Sequence, residues 1–281
     1  KIRLFPIRWE RHLEDFFINR FGRELYRTFF RDYTAKVWGV PCTAIKPEWG
    51  AQRIKGISVS KIVRHALRKM VRGSGGDIRQ KGVETSLIDR FLYPKYGPGQ
   101  MWEEVKRRVE KQGGEVIMNT PVTGLMAADG QTITSVKTPE QEYQADFVIS
   151  TMPLKELVGG LEAPKPNAIK RIAHGLQYRD FITVGLLLTE LKLKNPDATP
   201  IRDNWIYIQE PEVQVGRLQI FNNWSPYLTH DPEKIWVGLE YFCNEGDELW
   251  SLSEAEMQAL AIRELEAIDI ITTEAVQDAV V

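Results

Sequence analysis

Residues that often carry enzyme chemistry without a cofactor are sparse in this chain. The sequence holds two cysteines, Cys42 and Cys243, and four widely spaced histidines. Zinc sites need several Cys or His ligands at short spacings, and a cysteine nucleophile needs a histidine base. Neither pattern is present, so the sequence predicts no metal site and no hydrolytic Cys–His pair. Two cysteines are also too few for a disulfide framework, which favours a reducing, cytoplasmic setting.

Charge is the next chemical feature, because it is distributed unevenly. The 281 residues carry a net charge of −1, yet residues 1–72 hold 17 Lys and Arg against 6 Asp and Glu. A basic stretch of this kind favours an anionic partner, such as a phosphorylated ligand or an acidic lipid surface, or else forms a solvated helix face. No nucleic-acid-binding motif accompanies the charge, so we predict no nucleic-acid partner and leave peripheral membrane contact open.

The helices and strands that must position any site are indicated by the spacing of apolar residues, which differs along the chain. Apolar residues recur at three- and four-residue steps through residues 13–38, with a break at Gly22 and an end at Val40-Pro41. The last third alternates apolar and polar residues, which predicts an antiparallel sheet. The predicted helices cover residues 13–38, 48–55, 58–72, 100–112 and 253–268, and the predicted strands cover 115–119, 122–127, 132–138, 145–151, 181–189, 204–209, 216–222 and 235–242.

Two short sequences make sharper predictions. Ser253 and Glu256 have the spacing of a capping box at the start of the last helix. Residues 145–151 (ADFVIST) form a nearly continuous apolar run, which is typical of a strand buried on both faces of a parallel sheet. The chain supplies few parallel neighbours for such a strand. We therefore expect the chain to be an internal fragment of a longer protein.

Four segments, in order, give the sequence a family resemblance. They are FFRDYTAKVWGVPCTAIKPEWGAQRIKG (29–56), FLYPKYGPGQMWEEV (91–105), GGEVIMNTPVTGL (113–125) and ADFVISTMPLKEL (145–157). Together they resemble the flavin amine oxidase superfamily, especially its branches similar to protoporphyrinogen oxidase and UDP-galactopyranose mutase. The resemblance extends over nearly the whole chain.

This resemblance implies an α+β fold in three parts. Residues 1–112 would be a mainly helical part of the substrate domain, residues 113–160 a partial FAD-binding α/β domain, and residues 161–281 an antiparallel-sheet substrate domain with helices. In the family, a G-x-G-x-x-G motif holds the FAD diphosphate at a helix N-terminus, and this sequence lacks that motif. We therefore expect FAD in the full-length protein, and expect this fragment alone to be colourless and inactive.

The resemblance also assigns candidate contacts to FAD. One matched position contacts the adenine through backbone groups, one is a turn at a strand end, and one is a Gly-rich loop that leads into a helix. Ligands favour the carboxyl ends of parallel strands and the N-termini of helices, which suits the second and third positions. The candidate cofactor-binding residues are Val122, Thr151, Met152, Pro153, Gly97, Pro98 and Gly99.

Three residues are candidates for substrate binding. In the mutase branch, a Tyr-Asn-x-Lys-Val-Trp motif and a following Trp-x-x-x-Arg line the substrate side of the flavin. This sequence retains Trp38 and Arg53 but has Thr34 at the Asn position, which weakens the sugar-nucleotide interpretation. Arg53 suits a phosphate or a flavin carbonyl because its guanidinium is a planar donor fork. Tyr241 is predicted to face the pocket from the sheet, on the opposite face from Trp236.

These observations lead to three hypotheses of function. The first is an FAD-dependent oxidoreductase that removes a hydride from an amine- or porphyrinogen-like small molecule, with no catalytic residue identified. The second is a flavin-dependent nucleotide-sugar mutase. The third is a non-enzymatic basic helical module that docks on a membrane or a partner, and the basic stripe at residues 58–72 is its only support. The oligomeric state is not predicted.

Overall fold

The computed structural model describes residues 6–53, 91–127, 130, 132–163 and 166–281, with the backbone only at Arg53. The predicted helix at residues 58–72 and the GSGG segment after it lie outside the described residues. The chain forms two compact units, one of Lys1–Met101 with Arg179–Val281 and one of Trp102–Tyr178. The first unit combines the helical start of the chain with the sheet of its last third. The division of the chain into a substrate-domain part (1–112), a partial FAD-binding domain (113–160) and a sheet domain (161–281) stays a prediction.

The helices and strands of the described residues have the following bounds. The helices are α1 (Leu13–Phe21), α2 (Arg23–Tyr26), α3 (Asp32–Trp38), α4 (Pro47–Arg53), α5 (Pro98–Lys111), α6 (Leu154–Gly160), α7 (Asn167–His174), α8 (Phe221–Trp224) and α9 (Glu254–Ala267), with a π-helical turn at Arg27–Arg31 and 3-10 turns at Cys42–Ala44 and Thr273–Ala275. The strands are β1 (Gly124–Ala127), β2 (Ile133–Lys137), β3 (Glu142–Gln144), β4 (Leu161–Glu162), β5 (Asp180–Leu188), β6 (Trp205–Tyr207), β7 (Arg217–Ile220), β8 (Ile235–Cys243) and β9 (Val276–Val280).

The helical start of the first unit packs around one apolar stripe of α1. Leu13, Phe16, Phe17 and Phe21 are buried on that stripe, as the three- and four-residue spacing predicts. Gly22 separates α1 from α2 with a φ of 89°, a conformation that glycine adopts at little cost. The predicted helix break at this position is therefore confirmed.

The last third of the chain forms a five-stranded antiparallel sheet in the order β6-β7-β8-β5-β9. The predicted antiparallel sheet is confirmed, although β7 ends at Ile220 and is followed by the helical turn α8. Alternate residues of β8 are fully buried, namely Val237, Leu239, Tyr241 and Cys243. The residues between them lie on the other face of the sheet, because successive side chains of a strand alternate.

Helix α9 packs on the buried face of this sheet. Met257, Ala261 and Leu265 join the strand residues in one apolar core. Ser253 Oγ accepts a hydrogen bond from Glu256 N, and the Glu256 carboxylate accepts one from Ser253 N at 2.8 Å. The predicted capping box is therefore confirmed, and it satisfies two of the amide groups left free at the start of a helix.

The second unit contains a small mixed sheet in the order β3-β2-β1-β4, in which only β1 and β4 are parallel. The predicted strands at residues 115–119 and 145–151 are wrong for this structure, because neither segment is in a ladder. Phe147 and Ile149 are each 94% exposed. An apolar run records a tendency towards burial, whereas a strand also needs a neighbouring strand to pair its backbone groups. The fold as a whole is mixed α and β with two sheets, one of them antiparallel.

Candidate functional site

A cavity of about 390 Å³ lies in the first unit between α3 and the open face of the antiparallel sheet. Aromatic rings form most of its wall, and two arginines contribute its charge. Sites for small molecules usually combine apolar walls with a few placed polar groups, and this composition matches that pattern. The lining residues are Tyr33, Thr34, Val37, Trp38, Trp49, Arg179, Phe181, Tyr207, Arg217 and Phe242.

The sheet contributes its side of the cavity through strand register. Phe181 of β5 pairs with Phe242 of β8, and Tyr207 of β6 pairs with Arg217 of β7. Arg217 also lies opposite Glu240 of β8. Because all these positions share one parity, their side chains lie on the face opposite the apolar core. A one-residue slip in any strand would remove them from the cavity.

Arg217 is the most distinctive polar group of the cavity. Its Nη2 atom lies 2.5 Å from Glu240 Oε2, and the other Glu240 oxygen accepts a hydrogen bond from Gln219 at 2.8 Å. The guanidinium carbon lies 4.9 Å from the Trp205 ring centre and 4.7 Å from that of Phe242. Aromatic faces attract cations, so the two rings hold the guanidinium in place while adding no opposite charge.

Arg217 also retains capacity to bind a ligand. Its Nε atom is buried, and no described residue accepts a hydrogen bond from it. A buried donor without an acceptor is costly, and an incoming anionic or carbonyl group would relieve that cost. The arrangement therefore suits a ligand that carries a negatively charged or strongly polar oxygen.

Helix α3 contributes the opposite wall. Tyr33 meets Tyr207 edge to face, with 4.6 Å between ring centres. Burial raises the pKa of Tyr33 above its usual value, so this phenol is neutral at physiological pH. Trp38 meets Trp49 of α4 edge to face at 5.2 Å. The first and last residues of the motif, Tyr33 and Trp38, therefore both line the cavity.

The predicted substrate residues have three different outcomes. Trp38 lines the cavity together with Trp49, the first residue of the Trp-x-x-x-Arg segment. Arg53 ends α4, but its side chain lies outside the described structure, so its role stays a prediction. Tyr241 is 0% exposed and belongs to the core beneath α9, so its placement at the pocket is wrong. The neighbouring residue Phe242 lies at the cavity instead, because strand side chains alternate.

The predicted cofactor positions lie in both units, and each can be described only locally. Gly97 has a φ of 85° and directly precedes α5, as expected of a turn that leads into a helix. Val122 is 37% exposed and lies just before β1. Residues 151–153 form an exposed turn before α6, in which Met152 N donates to Ser150 Oγ at 3.2 Å.

These positions could contact parts of FAD, but together they do not form a complete binding site for it. Val122 offers an exposed apolar side chain and backbone, which suits an adenine edge. A Cβ atom at Gly99 would meet nothing within 4 Å, so there is open space at this turn for a bound group to approach. The sequence lacks the G-x-G-x-x-G loop that would hold a diphosphate. The residues present therefore fit the group in part.

Sequence reasoning missed several residues that line the cavity. The candidates named from sequence do not include Arg179, Tyr207, Arg217 or Phe242. Strand alternation could have grouped Tyr207 with Arg217, but only once their register was known. No sequence signal marks Arg179, which binds backbone carbonyls rather than side chains.

Two other kinds of feature are absent from the described residues. They contain no group of three or more His, Cys, Asp or Glu residues arranged to hold a metal ion. Within the same ranges, no helix has both the length and the apolar character needed to cross a membrane.

Comparison with known proteins defines the class. The family described as flavin containing amine oxidoreductase matches residues 2–278. A two-sheet fold with an aromatic cavity on an antiparallel sheet accompanies that match. The chain belongs to this family.

Solved structures support the same fold. A reduced UDP-galactopyranose mutase is 16% identical with a TM-score of 0.71, over 99% of this chain and 57% of that one. A protein described as a protoporphyrinogen oxidase of Exiguobacterium sp. 255-15 is 16% identical with a TM-score of 0.62, over 99% and 55%. An oxidoreductase from Methanosarcina mazei is 13% identical with a TM-score of 0.57, over 96% and 55%. The chain thus spans a little more than half the length of these relatives.

Proposed function

We propose that this chain is part of an FAD-dependent oxidoreductase whose substrate binds in the cavity between α3 and the sheet. The observation that carries the proposal is a cavity walled by aromatic rings and lined by the half-buried guanidinium of Arg217, whose buried Nε donor has no acceptor among the described residues. FAD, when bound, supplies the redox chemistry by accepting a hydride. Residues Val122, 151–153 and 97–99 are the candidates for contacts with it.

The chain's own residues would bind the substrate, orient it and exclude water. The described lining residues include no carboxylate and no histidine, so we assign no general base. The aromatic rings of Tyr33, Trp38 and Phe242 would pack on a flat or apolar body. Arg217 would orient one polar end of that body, because a guanidinium donates hydrogen bonds in a fixed plane.

The charge of the cavity favours one of the two substrate classes that the sequence leaves open. Its described lining contains Arg179 and Arg217 and no acid. Glu240 balances the charge of Arg217, so Arg179 leaves the cavity with a net positive charge. A protonated amine is disfavoured in such a cavity, whereas a carboxylate-bearing molecule is attracted. A porphyrinogen-like substrate with acidic side chains is therefore favoured over an amine-like one.

A nucleotide-sugar mutase is the second candidate, because a diphosphate also suits Arg217. Similarity to the mutase structure supports this candidate at the level of fold. Thr34 argues against it, because this residue is a buried threonine at the position where the mutase motif has Asn. A non-enzymatic docking module has no support from the described residues, since the basic stripe at 58–72 lies outside them. A cytoplasmic location stays part of the proposal.

The test uses the FAD-loaded full-length protein under anaerobic conditions. Protoporphyrinogen, benzylamine and UDP-galactopyranose are added in separate experiments, and flavin absorbance and product are followed. Bleaching by protoporphyrinogen is the expected result, and bleaching by benzylamine would overturn the charge argument. Turnover of UDP-galactopyranose only after reduction with dithionite would support the mutase. A full-length protein without bound flavin would overturn both functions.

A further inference from the structure

We propose that Lys36 and Arg179 are positioning residues that fix α3, and with it Tyr33 and Trp38, against the sheet. This inference rests on the proposed role of the cavity as the substrate site. Helix α3 continues α2 through the π-helical turn at Arg27–Arg31, and a helical segment of this length is held in place mainly by its tertiary contacts rather than by its own stability. The placement of the aromatic wall must therefore come from what holds the helix.

Lys36 binds the loop between β6 and β7. Its Nζ atom donates to the carbonyl oxygens of Ile208 at 3.3 Å, Glu210 at 2.6 Å and Val215 at 3.1 Å. An ammonium group has three donors, and here all three have acceptors on one loop. Burial lowers the pKa of Lys36, which is the effect expected when a cation is removed from water. The group is thus committed to the fold and has no donor left for a ligand.

The same loop is held from its other side. Glu264 of α9 accepts hydrogen bonds from the backbone amides of Gln214 at 2.7 Å and Val215 at 2.9 Å. The Val215 N–H therefore donates to the buried Glu264 carboxylate, and the Val215 C=O accepts from the half-buried Lys36 ammonium. Through this loop, α3 is connected to α9 and to the core of the sheet.

Arg179 makes the second attachment. Its Nε atom donates to Val37 O at 3.1 Å, and its Nη2 atom donates to Lys36 O at 3.3 Å and to Phe242 O at 3.0 Å. The last carbonyls of a helix have no partner within the helix, and a cation is favoured at that end. Arg179 therefore caps α3 and ties it to the strand that carries Phe242. Three of its five donor positions are used in this way.

Gly39 makes room for this cap. It has a φ of 67° directly after α3, and a Cβ atom there would lie 3.1–3.3 Å from the Arg179 guanidinium. A left-handed glycine commonly ends a helix. In this chain the residue also leaves space for the cation that binds the helix end.

The first experiment measures the attachment directly. Hydrogen exchange of amides 32–38 is followed by mass spectrometry in the FAD-loaded full-length protein and in Lys36→Met, Arg179→Gln and Lys192→Met variants. The first two should exchange about tenfold faster or more in this segment, because each loses several hydrogen bonds. Lys192→Met is the matched control, since it removes only an exposed pair with Asp269. Unchanged exchange in Lys36→Met and Arg179→Gln would overturn the proposal.

The second experiment asks whether the attachment acts through the cavity. KM is measured with protoporphyrinogen, and with UDP-galactopyranose after dithionite reduction, in parent and variants with equal flavin content. Lys36→Met should raise KM roughly tenfold or more for whichever probe reacts, because small misplacements of binding groups have large effects. In a Trp38→Phe background the same substitution should have a much smaller effect, because both changes disturb one wall.

The outcomes separate the two proposals. If Trp38→Phe leaves KM unchanged, or the parent reacts with neither probe, the cavity is not the substrate site, while hydrogen exchange still decides the positioning role in the fold. If Trp38→Phe raises KM but Lys36→Met and Arg179→Gln do not, the positioning role is overturned and the substrate site stands. If the effects of Lys36→Met and Trp38→Phe on KM are fully additive, Lys36 acts independently of this wall, and the proposal that it positions the wall is overturned.

Discussion

Arg217 shows how one residue of the cavity serves both stability and binding. It forms an ion pair with Glu240, whose side chain is 7% exposed, and it stacks between two aromatic rings. Leaving one member of such a pair without the other is costly. A test of its binding role must therefore separate the loss of a ligand contact from the cost of leaving the buried Glu240 carboxylate without its partner.

We predict that Arg217→Gln raises KM for protoporphyrinogen by the equivalent of about 1.5–3 kcal/mol, the usual value for a charge-assisted hydrogen bond. The same variant should lose about 3–5 kcal/mol of unfolding free energy, because Glu240 keeps its charge. Urea unfolding and steady-state kinetics measure the two effects. The matched control is Arg217→Gln with Glu240→Gln, which should recover stability but not binding. Parent-like KM in that double variant would contradict the assignment.

For Tyr241 we predict an effect on stability and none on substrate binding, because this residue lies in the core. Burial raises its pKa, and the nearby Glu264 carboxylate raises it further. Tyr241→Phe should change the unfolding free energy by no more than about 1 kcal/mol, whereas Tyr241→Ala should cost about 3–5 kcal/mol. Neither Tyr241→Phe nor its matched control Phe242→Tyr alters ring size. A rise in KM for Tyr241→Phe alone would restore the residue to the site.

At the scale of single residues, sequence reasoning succeeded where the motif was helical. Trp38 lines the described cavity together with Tyr33 because a contiguous helix fixes the spacing between them, and its role in substrate binding stays a prediction. The face of β8 that lines the cavity was not predictable, because it depends on strand parity, which a shift of one residue reverses. The composition of β8 does not reveal which face the core occupies.

Among the elements, the contact between α1 and α4 depends on one glycine. A Cβ atom at Gly50 would lie 2.7 Å from Leu13 and 2.8 Å from Phe16. Gly50 lies inside α4, where an unhindered change to alanine would add stability. The side chains it faces are fully buried and have little room to move.

We predict that Gly50→Ala destabilises the protein by about 1–3 kcal/mol despite the better helix propensity of alanine. The expected loss follows from overpacking against the α1 stripe. Thermal and urea unfolding provide the measurement. Gln52→Ala, at an exposed position of the same helix, is the matched control and should stay within about 0.5 kcal/mol. An increase in stability for Gly50→Ala would mean that the two helices separate easily.

Most elements of the first unit could be predicted from sequence, because the spacing of their apolar residues matches the face that each element buries. The capping box at Ser253, the break at Gly22 and the strands of the antiparallel sheet are all local signals. Residues 145–151 show the limit of that approach. Their apolar run indicates burial, but pairing requires backbone partners that composition does not identify.

On the scale of the whole molecule, Lys36 makes stability depend on pH. Glu210, Glu212, Glu264 and Asp32 face it and favour its charged form, but burial outweighs them and lowers its pKa. As pH rises, the folded protein releases this proton first, while the unfolded chain keeps it up to about pH 10.4. The unfolded state then binds more protons, so stability rises with pH over that interval.

We predict that the unfolding free energy of the parent increases relative to Lys36→Met between pH 7 and about pH 9, below the titration of ordinary tyrosines. Urea unfolding at a series of pH values measures the difference. The exposed-lysine variant Lys192→Met serves as the control for general effects of alkaline pH. A difference between parent and Lys36→Met that stays flat or falls would show that Lys36 keeps its ordinary pKa in the folded protein.

The attachments of α3 have a consequence for mutational tolerance. Lys36 and Arg179 bind main-chain carbonyl oxygens of Ile208, Glu210, Val215 and Phe242, and every amino acid carries that group. Side chains on the β6–β7 loop can therefore change without removing a single acceptor. The geometry of the cavity depends on two cations and the path of the backbone, so libraries that vary the exposed position 210 should leave the pocket intact, and libraries that vary 36 or 179 should not.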